Sequence, residues 1–65
     1  MTRQDIVQWI EGEIAAENED AVRFPPEVSR KLVADAIKEV AARHEGKVAG
    51  FAPYGLHEWK IEYAR

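Results

Sequence analysis

Residues 25–46, PPEVSRKLVADAIKEVAARHEG, decide the fold, because they form the longest strongly periodic segment of the chain. Apolar side chains recur in it at intervals of three and four residues, the spacing of one face of an α-helix. These residues are Val28, Leu32, Val33, Ala36, Ile37 and Val40, with His44 at the margin. Charged residues fill the opposite side, so the segment is predicted to be an amphipathic helix with a broad buried face.

Both ends of this helix carry signals in the sequence. Pro25 and Pro26 suit the first turn, where the missing N–H of proline would have had no partner. At the other end, Gly46 can adopt the left-handed backbone conformation that closes many helices. The predicted helix therefore runs from the two prolines to Gly46, and it contains Ser29, the only serine of the chain.

A second amphipathic helix is predicted over residues 3–17. Thr2 is its predicted N-cap, and Asp5 is placed to complete a capping box. Its apolar ridge consists of Ile6, Ile10 and Ile14. A connector follows and becomes extended before the two prolines. The two helices are expected to pack as an antiparallel hairpin.

Four residues near the end of this first helix need separate interpretation. Gly12 costs about 0.5–1 kcal/mol relative to alanine, and one explanation is close approach by another backbone. Glu13 and Glu17 project into the apolar arc, where they either reach solvent at its margin or meet a basic partner. Asn18 is expected to supply the left-handed conformation that ends the helix.

The apolar period changes from 3.6 to 2 after Gly46. Residues 47–52 and 56–64 alternate around Pro53-Tyr54-Gly55, which predicts a β-hairpin with a type I turn closed by a glycine bulge. In the predicted register Phe51 opposes His57 and Ala49 opposes Trp59. One face then gathers Ala49, Phe51, His57, Trp59, Ile61 and Tyr63, while Val48 and Gly50 point the other way.

The apolar face of this hairpin has to be covered, because an isolated two-stranded hairpin is marginal in water. The predicted fold class is therefore α+β: a two-helix hairpin packed on a C-terminal antiparallel β-hairpin, in the order ααββ, as a single domain over residues 1–65. In this arrangement the last strand is an exposed edge, and proteins usually pair or cover such edges. Pairing of the C-terminal strand edge with a second copy predicts a homodimer.

Length and composition narrow the possible function classes. The chain has 65 residues and no cysteine, so disulfides, a thiolate nucleophile and a cysteine-ligated zinc site are excluded. No segment resembles a signal peptide or a membrane span, so a cytoplasmic location is expected. The net charge of −3 divides into −5 in residues 1–22 and +2 in residues 23–65, which favours a protein partner over nucleic acid.

The two histidines and the acidic residues of the first helix are the candidates for a catalytic or metal-binding role. His44 and His57 have Glu45 and Glu58 as neighbours, but this spacing matches no metal-ligand pattern. Interaction of His44 with a helix end and of His57 with Phe51 across the hairpin are the preferred roles. The acidic residues before position 22 lack the spacing of a calcium-binding loop. No metal, cofactor or catalytic residue is expected.

The sequence thus predicts a small non-enzymatic adaptor or regulatory module that binds protein and acts as a homodimer. Its candidate contact residues are those that are hardest to bury in the core of so small a domain. They are Trp9, Glu13, Glu17, Tyr54, Trp59, Ile61 and Tyr63. Burial in the fold or in the dimer seam is the competing role for the aromatic residues, and only Tyr54 is expected to be exposed in its own right.

Nucleic-acid binding is the main alternative function, because two helices followed by a hairpin resemble the second half of a winged helix-turn-helix domain. The helix that would enter the groove balances four basic residues with four acidic ones, and no basic stripe emerges. A third hypothesis is that the acidic first helix imitates nucleic acid. Six acids in residues 1–22 permit this, although dedicated mimicry needs more charge.

Overall fold

A computed structural model describes residues 1–64 and contains two helices and a three-stranded antiparallel sheet. In chain order the elements are α1 (Arg3–Ala15), β1 (Val22–Arg23), α2 (Arg30–Arg43), β2 (Val48–Pro53) and β3 (Glu58–Tyr63). The predicted α+β class, with both long helices preceding the C-terminal hairpin, is confirmed. The third strand, β1, comes from the connector that the sequence predicted only to be extended.

Helices and sheet share one apolar core. Its buried residues are Ile6, Val7, Ile10, Ile14, Val22, Phe24, Val33, Ala36, Ile37, Val40, Trp59 and Ile61. The helical members recur at intervals of three and four residues, and the two from β3 are two residues apart, as the periods of helix and strand require. Burial of these side chains is the main source of stability for the fold.

The first helix begins as the sequence predicts and ends at Ala15, two residues earlier than expected. Thr2 caps it, and a capping box with Asp5 is present. At its end, the Glu17 N–H donates to the Ile14 carbonyl at 3.0 Å and the Asn18 N–H donates to the Glu13 carbonyl at 3.1 Å. This is a Schellman motif. Its left-handed residue is Glu17, with φ of 51°, and not Asn18.

The second helix begins at Arg30, later than predicted. Ser29 is its N-cap, and the Ser29 hydroxyl accepts hydrogen bonds from the N–H groups of Lys31 and Leu32. The two prolines lie in a preceding turn, because Pro26 disfavours a helical conformation at Pro25. At the other end Gly46 has φ of 83°, which confirms the predicted left-handed glycine.

Ion pairs join the two helices. Arg3 pairs with Glu39 near the start of α1, and Glu11, two turns later, meets Arg43 and His44. The chain between the helices is long enough to form β1 on the sheet before α2 begins.

The sheet order is β1-β3-β2, so β3 is the central strand and not an edge. Val22 pairs with Trp59 and Arg23 pairs with Glu58. The predicted dimer seam along the C-terminal strand is therefore wrong over this part of β3, because the chain's own connector occupies it. The two edge strands of the sheet are β1 and β2.

The hairpin has a different register from the predicted one. Phe51 pairs with Ile61 instead of His57, and the hairpin loop is correspondingly longer. A bulge between Val48 and Gly50 changes the alternation, so that Val48 packs against the core instead of facing away from it. Gly55 does not adopt the left-handed conformation that the predicted glycine bulge needs. The His57 carbonyl instead accepts a hydrogen bond from the N–H of Phe24, the residue directly after β1, at 2.9 Å.

Among residues 1–64, neither helix has the length and apolar character needed to cross a membrane.

Candidate functional site

An open cleft lies where the end of α1 approaches the end of β3. Its volume is about 320 Å³, and it is lined by Glu17, Glu19, Tyr63 and Ala64. Two of these, Glu17 and Tyr63, are contact residues that the sequence predicted from opposite ends of the chain. The fold therefore brings an acidic helix terminus beside the last strand.

The acidic side of the cleft is positioned by hydrogen bonds around Asn18. The Asn18 side-chain amide donates to the Glu13 carboxylate at 2.7 Å, and its side-chain oxygen accepts from the Asp20 N–H at 3.0 Å. These bonds hold the connector against the last turn of α1. As a result the carboxylate of Glu13 is occupied within the fold, while the exposed Glu17 side chain lies at the cleft.

Tyr63 forms the opposite wall. Its hydroxyl donates to the backbone carbonyl of Glu13 at 3.2 Å, and its ring is half-buried against the core. Burial raises the pKa of the Tyr63 phenol, and the negative charges of Glu13, Glu17 and Glu19 raise that pKa further. The carboxylates of Glu13, Glu17 and Glu19 therefore lie near the phenol of Tyr63.

The backbone of β3 is unpaired beside this cleft. The Tyr54 N–H donates to the Glu58 carbonyl at 2.9 Å, so the Glu58 backbone groups face β2. The N–H and C=O groups of successive residues in a strand point to opposite sides. Those of Trp59, Ile61 and Tyr63 therefore point toward the β1 side. Trp59 pairs there with Val22. Strand β1 ends at that point, and within residues 1–64 no backbone hydrogen bond joins Ile61 or Tyr63 to the connector.

Three other predicted contact residues have structural roles. Trp59 and Ile61 are buried in the core, so their side chains cannot meet a partner. Trp9 is half-buried and packs on Phe24 with ring centroids 4.8 Å apart. Trp9 and Trp59 therefore pack within the fold, which was the alternative to partner contact for these aromatic residues. Ile61 is 3% exposed as a whole residue, so neither its side chain nor its backbone is accessible to a partner.

The hairpin loop carries a separate exposed surface. The ring of Tyr54 is 65% exposed, as expected, and Lys60 Nζ lies 5.3 Å from its centroid. Leu56 is 74% exposed and was not among the predicted contact residues, because the sequence placed it in the strand 56–64. Glu19 was missed as a cleft residue because a connector has no periodicity from which the direction of a side chain could be predicted.

The two histidines lie apart from the cleft. His44 Nε2 is 2.5 Å from Glu11 Oε1, and Arg43 joins Glu11 to Glu39, so this group is an ion-pair network across the helices. Such exposed pairs contribute little stability each. Within residues 1–64, no three histidine or carboxylate side chains are grouped closely enough to hold a metal ion. His57 lies in the hairpin loop and does not oppose Phe51.

Comparison with protein-family models, with curated proteins and with solved structures finds no match to this chain.

Proposed function

We propose that this protein is a small, non-enzymatic protein-binding module, and that its contact surface is the cleft between the end of α1 and the end of β3. The single observation that carries the proposal is the juxtaposition of Glu17 with Tyr63 in this cleft. A carboxylate and a phenol are recognition elements for another polypeptide. They do not form a nucleophile–base pair.

A homodimer and a cytoplasmic location stay predictions. The longer of the two edge strands is β2, which is bulged near Val48 and ends at Pro53, a residue without an N–H. These features are the ones by which proteins discourage edge-to-edge pairing. Light scattering at high micromolar concentration tests for the dimer.

Nucleic-acid binding also stays a prediction, and no feature of α2 adds to its support. Arg43, a basic residue of the helix that would read the groove, is paired with Glu39 and Glu11. Salt-dependent retention on a duplex DNA probe would favour this alternative.

Capture of partners from native cells tests the proposed function, with Glu17→Lys as the decisive variant. This change reverses a charge in the cleft without altering the strain of the left-handed backbone, since both residues have a Cβ. Glu45→Lys is the matched control, because Glu45 is exposed and lies near Gly46, outside the cleft lining. We expect a partner retained by the wild type and by Glu45→Lys to be lost by Glu17→Lys. Equal retention by all three proteins would exclude the cleft as the contact surface.

A further inference from the structure

We propose that the hairpin loop is a second contact surface, which binds a protein that has an apolar pocket with a carboxylate at the rim. The loop surface consists of the exposed apolar residues of the loop and of the adjoining end of β2: Ala52, Pro53, Tyr54 and Leu56. The loop lies at the start of β3 and the cleft lies at its end, about 17 Å apart along the strand. The loop surface is therefore separate from the cleft, and this inference goes beyond the proposed function.

Exposure of apolar side chains is concentrated in the loop surface. Within residues 1–64 the large apolar side chains that are exposed are Met1, Tyr54 and Leu56, and the last two are 65% and 74% exposed. Single exposed apolar residues are common on proteins, whereas a contiguous group of them is a mark of an interaction site. Since Ala52 and Pro53 are exposed as well, the loop surface is such a group.

Hydrogen bonds hold the loop in one conformation. The N–H groups of Tyr54 and Gly55 both point to the Glu58 carbonyl, at 2.9 and 3.5 Å. The His57 carbonyl accepts from the Phe24 N–H at 2.9 Å, which joins the end of the loop to the chain after β1. The loop surface is therefore already ordered before a partner binds, and this reduces the entropy lost on association.

Positive charge borders the loop surface. Lys60 is exposed, and its Nζ lies 5.3 Å from the centroid of the Tyr54 ring. Arg23, also exposed, lies opposite Glu58 in the sheet, and among residues 1–64 neither Lys60 nor Arg23 forms an ion pair. The Glu58 side chain is partly buried against the loop backbone, and Glu62 lies further along β3. A carboxylate on the partner is complementary to this border.

The small size of the loop surface indicates that the partner encloses it. Stable interfaces use roughly 20–30 residues on each side, so four residues are too few for a flat contact or for a dimer of this chain. A few residues bind tightly where an aromatic side chain enters a pocket and loses its contact with water. Tyr54 is such a side chain, Leu56 adds apolar area, and Lys60 selects a pocket with a negative rim.

Titration of the ¹⁵N-labelled protein with carboxymethyl-β-cyclodextrin tests this chemistry, because the probe is an apolar cavity surrounded by carboxylates. We expect the probe to shift the amide signals at positions 54 and 56, and the double variant Tyr54→Ser, Leu56→Ser to lose this response. Unchanged signals in the wild type would overturn the inference. So would an equal response beside Met1, because the probe would then bind any exposed apolar side chain.

Charge variants test the rim of the pocket. Lys60→Gln should weaken binding of the probe about two- to five-fold, the range expected for one exposed charge pair. Lys38→Gln is the matched control, because Lys38 is exposed on α2, and it should bind the probe as the wild type does. Equal binding by the two variants would show that the carboxylates are not recognised by Lys60, which overturns the assigned rim.

Capture from native cells then tests whether the pocket belongs to a protein. We expect a protein that is retained by the wild type, by Lys38→Gln and by Glu17→Lys, reduced by Lys60→Gln and lost by the double variant. Retention of every captured protein by the double variant would overturn the inference and leave the cleft untouched, because the cleft is tested by Glu17→Lys.

Two other occupants of the loop surface have their own measurements. Sedimentation with vesicles of phosphatidylcholine and phosphatidylserine in equal parts tests for a lipid surface. Dilution of the protein alone, followed through the amide signals at positions 54 and 56, tests for a second copy. Vesicle binding that the double variant abolishes, or signals that move on dilution, would replace the partner protein and overturn the inference.

Discussion

The hydroxyl of Tyr63 donates a hydrogen bond to the backbone carbonyl of Glu13, fifty residues earlier in the chain, at 3.2 Å. This bond joins the last turn of α1 to the end of the central strand, across the cleft. It connects two segments that the sequence marked separately as contact regions. The relative position of Glu17 and Tyr63 in the cleft therefore depends on it.

Removal of this hydroxyl should cause a small loss of stability. Tyr63→Phe should lower the free energy of unfolding by about 0.5–1.5 kcal/mol, the usual net value of one hydrogen bond. We expect the lower half of that range, because the Glu13 carbonyl also accepts from the Asn18 N–H. Urea denaturation measures the change. Tyr54→Phe is the control, since Tyr54 is largely exposed, and an equal loss in both variants would contradict the assigned role.

Two glycine-to-alanine substitutions should have opposite effects. Gly12→Ala should stabilise the protein by about 0.5–1 kcal/mol, since Gly12 lies within α1 and a Cβ there would meet nothing within 4 Å. The close backbone approach considered for Gly12 is absent among residues 1–64. Gly46→Ala has equally open space but φ of 83°, and should destabilise by about 1–2 kcal/mol. Thermal unfolding of both variants checks the signs, and two changes of the same sign would refute this explanation.

Glu17→Gly should stabilise the fold and weaken partner binding. Glu17 has a φ of 51° at the position of the Schellman motif that glycine usually occupies. Relief of the left-handed conformation should add about 1 kcal/mol to the free energy of unfolding. Because the carboxylate is also removed, capture of the partner should decrease. A destabilised variant would show that the Glu17 side chain makes a compensating contact.

Stability should depend on Glu11 in a defined pH range. The hydrogen bond from His44 and the nearby Arg43 lower the pKa of the Glu11 carboxyl below 4.5. A carboxyl with a lowered folded-state pKa stabilises the fold above its unfolded-state pKa, and this contribution disappears as pH falls through the folded-state value.

Glu11→Gln should therefore be less stable than the wild type at pH 7, and the difference should shrink as pH falls below about 4.5. Denaturation midpoints measured between pH 7 and pH 3 test this, with Glu45→Gln as the control for loss of an exposed charge. A difference that stays constant over the whole range would show that the carboxylate charge is not the cause.

Replacing a buried and an exposed aliphatic residue by alanine should cause very different losses of stability. Ile61→Ala should destabilise by about 2–5 kcal/mol, because Ile61 is 3% exposed and its truncation leaves a cavity. Leu56→Ala removes a side chain of similar size that is 74% exposed, and should change stability by no more than about 0.5 kcal/mol. Denaturation midpoints distinguish the two. A loss of stability at Leu56 matching that at Ile61 would place the loop in the core.

The sequence alone determined the features that depend on neighbouring residues. Periods of 3.6 and 2 predicted two helices and a hairpin, the Thr2 and Asp5 pair predicted a capping box, and Gly46 predicted a left-handed helix end. Each of these follows either from local backbone preferences or from the burial of one face. The spacing of apolar residues within the segment is enough to indicate that face.

Tertiary structure alone decided the sheet order, the hairpin register and the cleft. A strand of two residues, Val22–Arg23, has no period to detect, and its place beside Trp59 is fixed by burial of Val22 and Phe24 in the core. The bulge between Val48 and Gly50 lets both Val48 and Phe51 pack against that core, and this packing depends on the tertiary structure. The meeting of Glu17 with Tyr63 likewise results from contacts between distant segments, since local propensity carries no information about which of them will adjoin.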